Sequence, residues 1–400
     1  MWTARLWALP VLWLAAAAAA APRVEDFESP AGPGSAQPNL VAGHGRIYLS
    51  WLESAKGEAA ALRFAAWDGT QWTAPRTVVA GVPFFANWAD FPSLLPLQGG
   101  ALAAHWLQKS GADPYAYEVK VAHSNDGGAS WSMAQSPHRD GTLTEHGFVT
   151  LVELGAGQFG AVWLDGRKYA AGEGAASHAP NQEMSLMFAG FESGSFGAEQ
   201  RLDERVCDCC QTAGAAVDGG LVVAYRDRSA EELRDISVVR YHEGVWSAPR
   251  PLHGDGWKMP ACPVNGPALA AAGQRVAAAW YTGAQDRDRV MLVFSSDGGA
   301  SFGAPLRIDQ GRPAGRVDLV WLEDGRALVC WLERISSTGA ELRARRVHPN
   351  GSMDPHFKIA DMASARASGF PQLARLGREV LIAWTEVEPV TRVRLGRLQP

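Results

Sequence analysis

Four of the five cysteines lie in two short segments and carry the most distinctive chemistry in the chain. Cys207, Cys209 and Cys210 are almost contiguous, and Cys262 stands in a separate segment. The Cys-x-x-Cys spacing from Cys207 to Cys210 can chelate a soft metal ion such as copper or zinc, and His146 is a candidate nitrogen ligand. The alternative is one or two disulfides that join the two segments. Both interpretations stay open.

Carboxyl groups, one histidine and several arginines form the second set of candidate functional residues. General acid–base catalysis on a sugar needs two opposed groups. Arginine suits an anionic sugar because it can grip a carboxylate with two parallel hydrogen bonds. The alternative is a solvated rim of salt bridges. The acid–base candidates are Asp90, Glu145, His146, Asp165 and Asp227, and the ligand-binding candidates are Arg167, Arg226 and Arg316.

An apolar run that ends in an aromatic residue recurs seven times, and this repeat indicates how the candidate residues are positioned. The runs end 51 to 62 residues apart, and turns such as Asn-Asp-Gly-Gly follow a further apolar run in most intervals. Such turns between apolar runs are strong hairpin patterns. Each interval therefore holds four short antiparallel strands, the content of a propeller blade. The closing aromatics are Trp51, Trp106, Trp163, Tyr225, Trp280, Trp331 and Trp384.

The repeat predicts an all-β fold, a single β-propeller of four-stranded antiparallel blades. Seven blades are favoured and six are the alternative, since none of the seven runs is weaker than its neighbours. The seventh unit has only three strands. We expect residues 24–28, which precede the first unit, to pair with residues 391–398 and supply the missing strand.

The loops that lead into the innermost strands share one face of such a propeller, and functional residues are expected there. Counted back from the closing aromatic, Cys207 and Cys262 occupy the same position in neighbouring blades, and Glu145 occupies it one blade earlier. The sequence therefore predicts that the four clustered cysteines converge at the mouth of the central channel. Cys330 falls inside a second-strand run and is expected to be a buried apolar residue.

Two of the turns resemble the Asp-box, or BNR repeat, of the sialidase superfamily. Both fit Ser-x-Asp-x-Gly-x-x-Trp, with Phe in the last place of the second copy. The resemblance implies a propeller in which the Asp caps backbone amides of a hairpin and the aromatic packs between sheets. The cysteine segments are similar to those of a bacterial sialidase-like subgroup. The motif residues are Ser124, Asp126, Gly128 and Trp131, then Ser295, Asp297, Gly299 and Phe302.

The resemblance leaves three functions open. The first is a hydrolase or lectin that binds a glycan or small anionic ligand; exo-α-sialidase activity is one form of it, although the Phe/Tyr-Arg-Ile-Pro motif usual in sialidases is absent. The second is a copper, zinc or thiol site at the cysteine cluster. The third is a non-catalytic propeller that binds another envelope protein.

Composition and the N-terminal residues indicate an exported protein that does not bind nucleic acid. The 400 residues are 47% apolar, and a net charge of -5 with both signs interspersed provides no basic surface. Residues 1–21 are typical of a secretory signal peptide, with Arg5 before an apolar stretch and an alanine tract. We expect a periplasmic or secreted sialidase-like propeller over residues 22–400, with no membrane span after signal cleavage. An oxidising compartment permits disulfides.

Overall fold

The computed structural model describes residues 22–54, 59–155, 157–171 and 183–398, which form seven antiparallel sheets arranged as a propeller. The predicted signal peptide, residues 1–21, lies outside the described residues. Within the described ranges the regular structure is β-strand with four short 3-10 segments, and no helix is long and apolar enough to cross a membrane. The prediction of an all-β propeller with seven blades is confirmed.

The blades follow one another along the chain, and each runs from an innermost strand outward. Blade 1 comprises β2 (Ser35–Gly43), β3 (Arg46–Glu53), β4 (Ala61–Trp67) and β5 (Arg76–Ala80). Blade 2 comprises β6 (Ser93–Pro96), β7 (Leu102–Lys109) and β8 (Tyr117–Ser124). Blade 3 comprises β9 (His146–Gly155), β10 (Gln158–Asp165), β11 (Met184–Glu192), β12 (Ser195–Phe196) and β13 (Gln200–Val206). In blade 2 the outermost position is marked by a single bridge between Val121 and Gln135.

The remaining four blades repeat this order, and the last one takes its outermost strand from the N-terminal residues. Blade 4 comprises β14 (Ala213–Val217), β15 (Gly220–Arg226), β16 (Ile236–His242), β17 (Val245–Trp246) and β18 (Arg250–Pro251), and blade 5 comprises β19 (Ala268–Ala272), β20 (Arg275–Thr282), β21 (Arg289–Ser295) and β22 (Leu306–Arg307). Blade 6 comprises β23 (Pro313–Trp321), β24 (Ala327–Arg334), β25 (Gly339–Val347) and β26 (Phe357–Ala363). Blade 7 comprises β27 (Gln372–Leu376), β28 (Glu379–Glu386), β29 (Arg392–Leu398) and β1 (Val24–Phe27).

The second strand of each blade is the apolar run that the sequence shows. Both of its faces are covered by neighbouring blades, so seven of the eight residues of β20 and of β24 are buried. A strand that is buried on both faces is a nearly continuous apolar run instead of an alternating one. The innermost strands line the central channel and use small residues, as in the Ala-rich β19.

The N-terminal strand closes the ring as predicted. β1 pairs antiparallel with β29, with Val24 opposite Leu398 and Phe27 opposite Leu395. The Phe27 ring also meets the edge of Trp67 in blade 1, with 4.9 Å between ring centroids. The first strand therefore joins blade 7 to blade 1 by backbone pairing and by side-chain packing.

Three blades carry the same irregularity where the innermost strand begins. In blades 1, 3 and 6 the ladder of the first two strands shifts register opposite Trp51, Trp163 and Trp331, so that two residues face each tryptophan. The first residue of each pair is left-handed, with φ of 55° at Gln37, 52° at Phe148 and 54° at Arg316. Bulges re-aim side chains, and here they lie at the channel mouth.

Candidate functional site

The central channel has a volume of about 570 Å³ and is plugged at one end by the loops that lead into the innermost strands, here called the mouth loops. Trp88, Phe91, Phe148 and Phe370 from three different blades pack together there. The Gln211 side chain crosses the same region, where its amide donates to the Ala89 carbonyl and accepts from the Gly266 amide at 3.0 Å. The plug fixes the mouth loops relative to one another.

A pocket of about 340 Å³ lies at the mouth and shares Ala89 and Phe148 with the channel. Its wall combines aromatic rings, two carboxyl groups, two thiols and one guanidinium group. The lining residues are Asn87, Trp88, Ala89, Tyr115, Glu145, Phe148, Tyr169, Asp208, Cys209, Cys262, Val264 and Arg366. Here the structure brings together Glu145, Cys209 and Cys262, which the sequence predicts at the mouth.

Glu145 is the central carboxyl group of this pocket. The Tyr117 hydroxyl donates to Glu145 Oε1 at 2.6 Å. Burial raises the pKa of Glu145 to about 8, and the charges of Asp90 and Asp208 act in the same direction against the opposing bond from Tyr117. A carboxyl group with that pKa is protonated at neutral pH and can donate a proton or a hydrogen bond.

Asp90 lies buried beneath this pair. Its Oδ1 accepts the Phe148 amide at 2.8 Å, and burial raises the pKa of Asp90 to about 7. Gly147 is needed here, because a Cβ at that position would lie 2.1 Å from Asp90 Oδ2 and 2.9 Å from the Tyr117 ring. Asp90, Tyr117 and Glu145 therefore form one buried group that joins blades 2 and 3 behind the pocket.

Asp208 is the second carboxyl group of the pocket, and cations surround it. Arg234 Nη1 donates to Asp208 Oδ1 at 3.3 Å, and Arg228 Nη1 lies 3.7 Å from Asp208 Oδ2. The Tyr169 hydroxyl also donates to Asp208 Oδ2 at 3.1 Å. The pocket thus pairs Glu145, whose pKa burial raises to about 8, with Asp208, an acid that two arginines contact.

The sulfur atoms of Cys207, Cys209 and Cys210 lie beside this carboxylate. Cys207 Sγ is 3.8 Å from Cys209 Sγ and 3.4 Å from Cys210 Sγ, and all three sulfurs lie within 4.8 Å of one another. Cys209 lines the mouth pocket together with Cys262, whose side chain is exposed. All five cysteines are free thiols, and Cys330 is buried in β24 of blade 6.

His146 lies apart from the thiols, on the outer side of β9. Its ring stacks on His138 with 4.0 Å between centroids, and its Nε2 lies 3.2 Å from Asp140 Oδ1 and 3.7 Å from Asp165 Oδ2. Nδ1 faces the Thr144 carbonyl at 3.1 Å. Because both ring nitrogens face acceptors, the surroundings of His146 suit an imidazolium. Burial alone would lower the pKa of His146, but Asp140 and Asp165 outweigh burial and raise it. This position differs from the expected one, in which His146 adds a ligand to the cysteines.

Asp165 and Arg167 bind each other instead of facing the pocket. Arg167 donates from Nε to Asp165 Oδ1 at 2.6 Å and from Nη2 to Oδ2 at 2.7 Å. Asp165 Oδ2 also accepts the Trp163 indole at 2.8 Å. Asp227 accepts the Ser237 hydroxyl at 3.0 Å, and burial raises its pKa to about 6. The structure does not bring Asp165, Arg167 or Asp227 to the pocket.

The other two predicted arginines are buried in the loop framework. Arg226 is 1% exposed and donates to the carbonyls of Asn265, Arg234 and Tyr281 at 2.5–2.9 Å. Arg316 is 8% exposed, and its guanidinium lies 4.8 Å from the centre of the Trp88 ring. Neither lines the pocket, so the arginine that can meet a ligand there is Arg366. Arg316 supports the pocket indirectly, because it fixes Trp88.

The two Asp-box-like turns lie on the opposite face, each at the end of a third strand. In the first, Ser124 Oγ donates to Asp126 Oδ1 at 2.8 Å, and Gly128 N donates to Ser124 Oγ at 2.8 Å. Trp131 packs on Phe64 of blade 1 with 6.0 Å between centroids. The second turn repeats these bonds through Ser295, Asp297 and Gly299 at 2.7 and 2.9 Å, and Phe302 packs under a guanidinium.

Sequence reasoning missed several residues of the pocket. Asp208 stands between the cysteines and was visible as an acid there, but Arg228 and Arg234 reach it through a loop whose path the sequence does not give. Tyr117 begins β8 and Tyr169 follows β10, and neither strand has an unusual residue pattern. Their relation to Glu145 and Asp208 arises only when blades 2, 3 and 4 pack together.

The match with a TM-score above 0.5 among solved structures bears on the fold alone. No protein-family model matches the chain. A search of curated proteins finds no match. Among solved structures, an ulvan lyase of polysaccharide lyase family PL25 is 13% identical with a TM-score of 0.57, covering 93% of this chain and 95% of the lyase. The NanB sialidase of Streptococcus pneumoniae is 9% identical with a TM-score of 0.48, and 94% of each chain is covered. A protein of unknown function from Dyadobacter fermentans is 17% identical with a TM-score of 0.49, covering 94% and 99%.

Proposed function

We propose that the mouth pocket binds a glycan and that Glu145 supplies a proton to the bound sugar. The observation that carries this proposal is a buried carboxyl group in the pocket wall that stays protonated at neutral pH, with the Tyr117 hydroxyl bonded to its other oxygen. A general acid for cleavage of a glycosidic bond needs this property.

The rest of the wall suits a sugar. Trp88, Tyr115 and Tyr169 present aromatic rings with polar edges, and such rings pack against the apolar faces of pyranoses. Asp208, which Arg234 contacts at 3.3 Å, can accept hydrogen bonds from hydroxyl groups. Arg366 offers a guanidinium for a carboxylate or sulfate group.

An acidic glycan is therefore the ligand class to test first. A polysaccharide lyase that binds a glucuronate-containing chain has the same fold, and this supports the choice of probes. The proposed setting is the periplasm or the exterior of the cell, where such glycans occur; export stays a prediction that rests on residues 1–21.

Binding to an array of neutral, uronate-containing, sialylated and sulfated oligosaccharides tests the proposal. The full chain should bind acidic members, and Trp88→Ala should weaken binding about tenfold or more through loss of the ring. A fluorogenic sialoside and the best-bound oligosaccharide then serve as substrates. Glu145→Gln should lower turnover by about 10²–10⁴-fold while the melting temperature stays close to wild type.

The pH profile adds a second readout. The proton on Glu145 is present below a pKa of about 8, so turnover should fall as the pH rises through that value. Glu243→Gln is the matched control, because its side chain is 86% exposed in a hairpin on the opposite face. The proposal fails if no oligosaccharide binds at millimolar concentration, or if Glu145→Gln and Glu243→Gln have the same turnover.

A further inference from the structure

We propose that Cys207, Cys209 and Cys210 bind one thiophilic monovalent metal ion, Cu(I), in a three-sulfur site beside the mouth pocket, and that Cys262 is the thiol through which the ion reaches them. This site goes beyond the proposed glycan function and does not depend on it. The ligands are the three sulfurs, and no histidine or carboxylate takes part.

The sulfur positions fit a metal before any metal is added. A metal–sulfur bond of roughly 2.3 Å places neighbouring sulfurs roughly 3.8–4.0 Å apart in tetrahedral or trigonal geometry. Cys207 Sγ lies 3.8 Å from Cys209 Sγ and 3.4 Å from Cys210 Sγ. Small side-chain rotations would therefore complete the site, since the loop already gathers all three sulfurs on one side.

The backbone holds this loop in place. The Cys207 amide donates to the Arg226 carbonyl at 3.0 Å, which fixes the first ligand to the end of β15. At the other end of the cysteine loop the backbone of Gly266 packs closely against that of Gln211, and a Cβ at position 266 would collide with the Gln211 carbonyl oxygen. Cys207 and Cys210 are buried, whereas Cys209 is partly exposed and lines the pocket, so two of the three sulfurs are shielded from water.

Two guanidinium groups lie beside the three sulfurs. Three thiolates around one monovalent cation carry two net negative charges. Arg234 Nη1 donates to Cys207 Sγ at 3.1 Å while the same guanidinium also bonds Asp208 and Glu232, and the positive charge of Arg226 acts on Cys210. Zinc(II) prefers a fourth ligand, and Cys262 is exposed and lies outside the group of three sulfurs that are within 4.8 Å of one another. The nearest histidine candidate, His146, faces Asp140 and Asp165 instead. Soft three-sulfur sites with no nitrogen ligand suit Cu(I).

Access to the site runs through the pocket. Cys262 is exposed and lines the pocket together with Cys209. A Cu(I) ion bound at Cys262 can pass to Cys209 by ligand exchange: a new Cu–S bond forms as the Cu–Cys262 bond breaks. Each thiol that becomes a ligand releases its proton to solvent, and no electron is transferred.

Titration of the reduced full chain with Cu(I), in competition with a chromophoric Cu(I) chelator under anaerobic conditions, tests the site. We expect one tightly bound equivalent, and X-ray absorption should show three sulfur neighbours at roughly 2.3 Å. Cys210→Ser should weaken Cu(I) binding about 100-fold or more. Cys262→Ser should keep the wild-type affinity and load the ion more slowly.

Cys330→Ala is the matched control, because Cys330 is a buried thiol in blade 6 and should leave Cu(I) binding unchanged. Glycan binding by Cys210→Ser separates the two proposals, because loss of metal with retained glycan binding leaves the glycan function intact. The site is refuted if the reduced wild type, with its thiols titratable, binds no Cu(I). It is also refuted if Cys210→Ser binds Cu(I) as tightly as wild type, or if Zn(II) binds with four ligands in preference to Cu(I).

Discussion

Arg226 is part of the framework that supports the thiol loop. Its guanidinium donates to the carbonyls of Asn265, Arg234 and Tyr281, and its carbonyl accepts the Cys207 amide. From the sequence, an arginine near a loop predicts a contact with a ligand. In the structure, the Arg226 guanidinium instead donates to backbone carbonyl oxygens. The residue therefore ties the mouth loops of blades 4 and 5 together.

Replacing Arg226 with alanine should consequently lower the stability of the fold and leave the affinity for a glycan unchanged. Three buried carbonyls lose their donor, so we expect Arg226→Ala to lower the free energy of unfolding by about 3 kcal/mol. Urea denaturation measures this loss. Arg378→Ala, whose side chain is 81% exposed, should change it by less than about 0.5 kcal/mol. If Arg226→Ala weakened glycan binding and left the free energy of unfolding unchanged, Arg226 would be a ligand-binding residue instead.

The acid two positions after the closing aromatic has a structural explanation at the same scale. Trp51, Trp163 and Trp331 donate their indole N–H to Glu53, Asp165 and Glu333 at 3.0, 2.8 and 2.9 Å. A buried indole needs an acceptor, and the next residue on the same face of the strand provides it. In these three blades the acid is thus the acceptor that the buried indole of the second strand requires.

At the scale of strands, the start of β9 is where the fold and the pocket depend on each other. Glu145, Gly147 and Phe148 follow in sequence, and the bulge at Phe148 turns its ring into the plug while Gly147 makes room for Asp90. A larger residue at position 147 would push Asp90 away from the Phe148 amide.

Gly147→Ala should therefore destabilise the protein. The new methyl group meets Asp90 Oδ2 and the Tyr117 ring, and overpacking of this kind typically costs about 1–3 kcal/mol. Chemical denaturation of the purified variant provides the measurement. Gly254→Ala, at a position with no heavy atom within 4 Å and no positive φ, is the control and should stay within about 0.5 kcal/mol of wild type. Equal stability of both variants would show that Asp90 can move freely.

The same scale shows what a sequence can predict here. The seven apolar runs predicted the blades and the N-terminal closing strand, because a strand buried on both faces is visible as an apolar run. The pocket was only partly predictable. Glu145 and Cys262 came from their common position before an innermost strand, and Cys209 came from the cysteine segment that begins at that position. Tyr169 lines the pocket from the segment after β10, and Tyr117 and Arg234 reach Glu145 and Asp208 from other strands and loops. Contacts between blades leave no periodic pattern in the chain.

At the scale of the whole molecule, the propeller places two chemistries at one end of a plugged channel. Gln211 bonds to Ala89 and Gly266 across the mouth, so the plug also links blades 2, 4 and 5. A ligand in the pocket meets loops from several blades at once, and its binding depends on the ring remaining closed. The closing strand is therefore coupled to the site although it lies in blade 7.

Deletion of residues 22–28 tests this dependence on closure. The deletion removes β1, leaves the backbone of β29 as an open edge and exposes Trp67 by removing Phe27. Open edges pair with other chains, so we expect a lower melting temperature by several degrees and soluble aggregates on size-exclusion chromatography. Deletion of residues 22–23 alone, which spares β1, should leave both readouts unchanged. A variant lacking residues 22–28 that stays monomeric and melts with the wild type would show that blade 7 is stable with three strands.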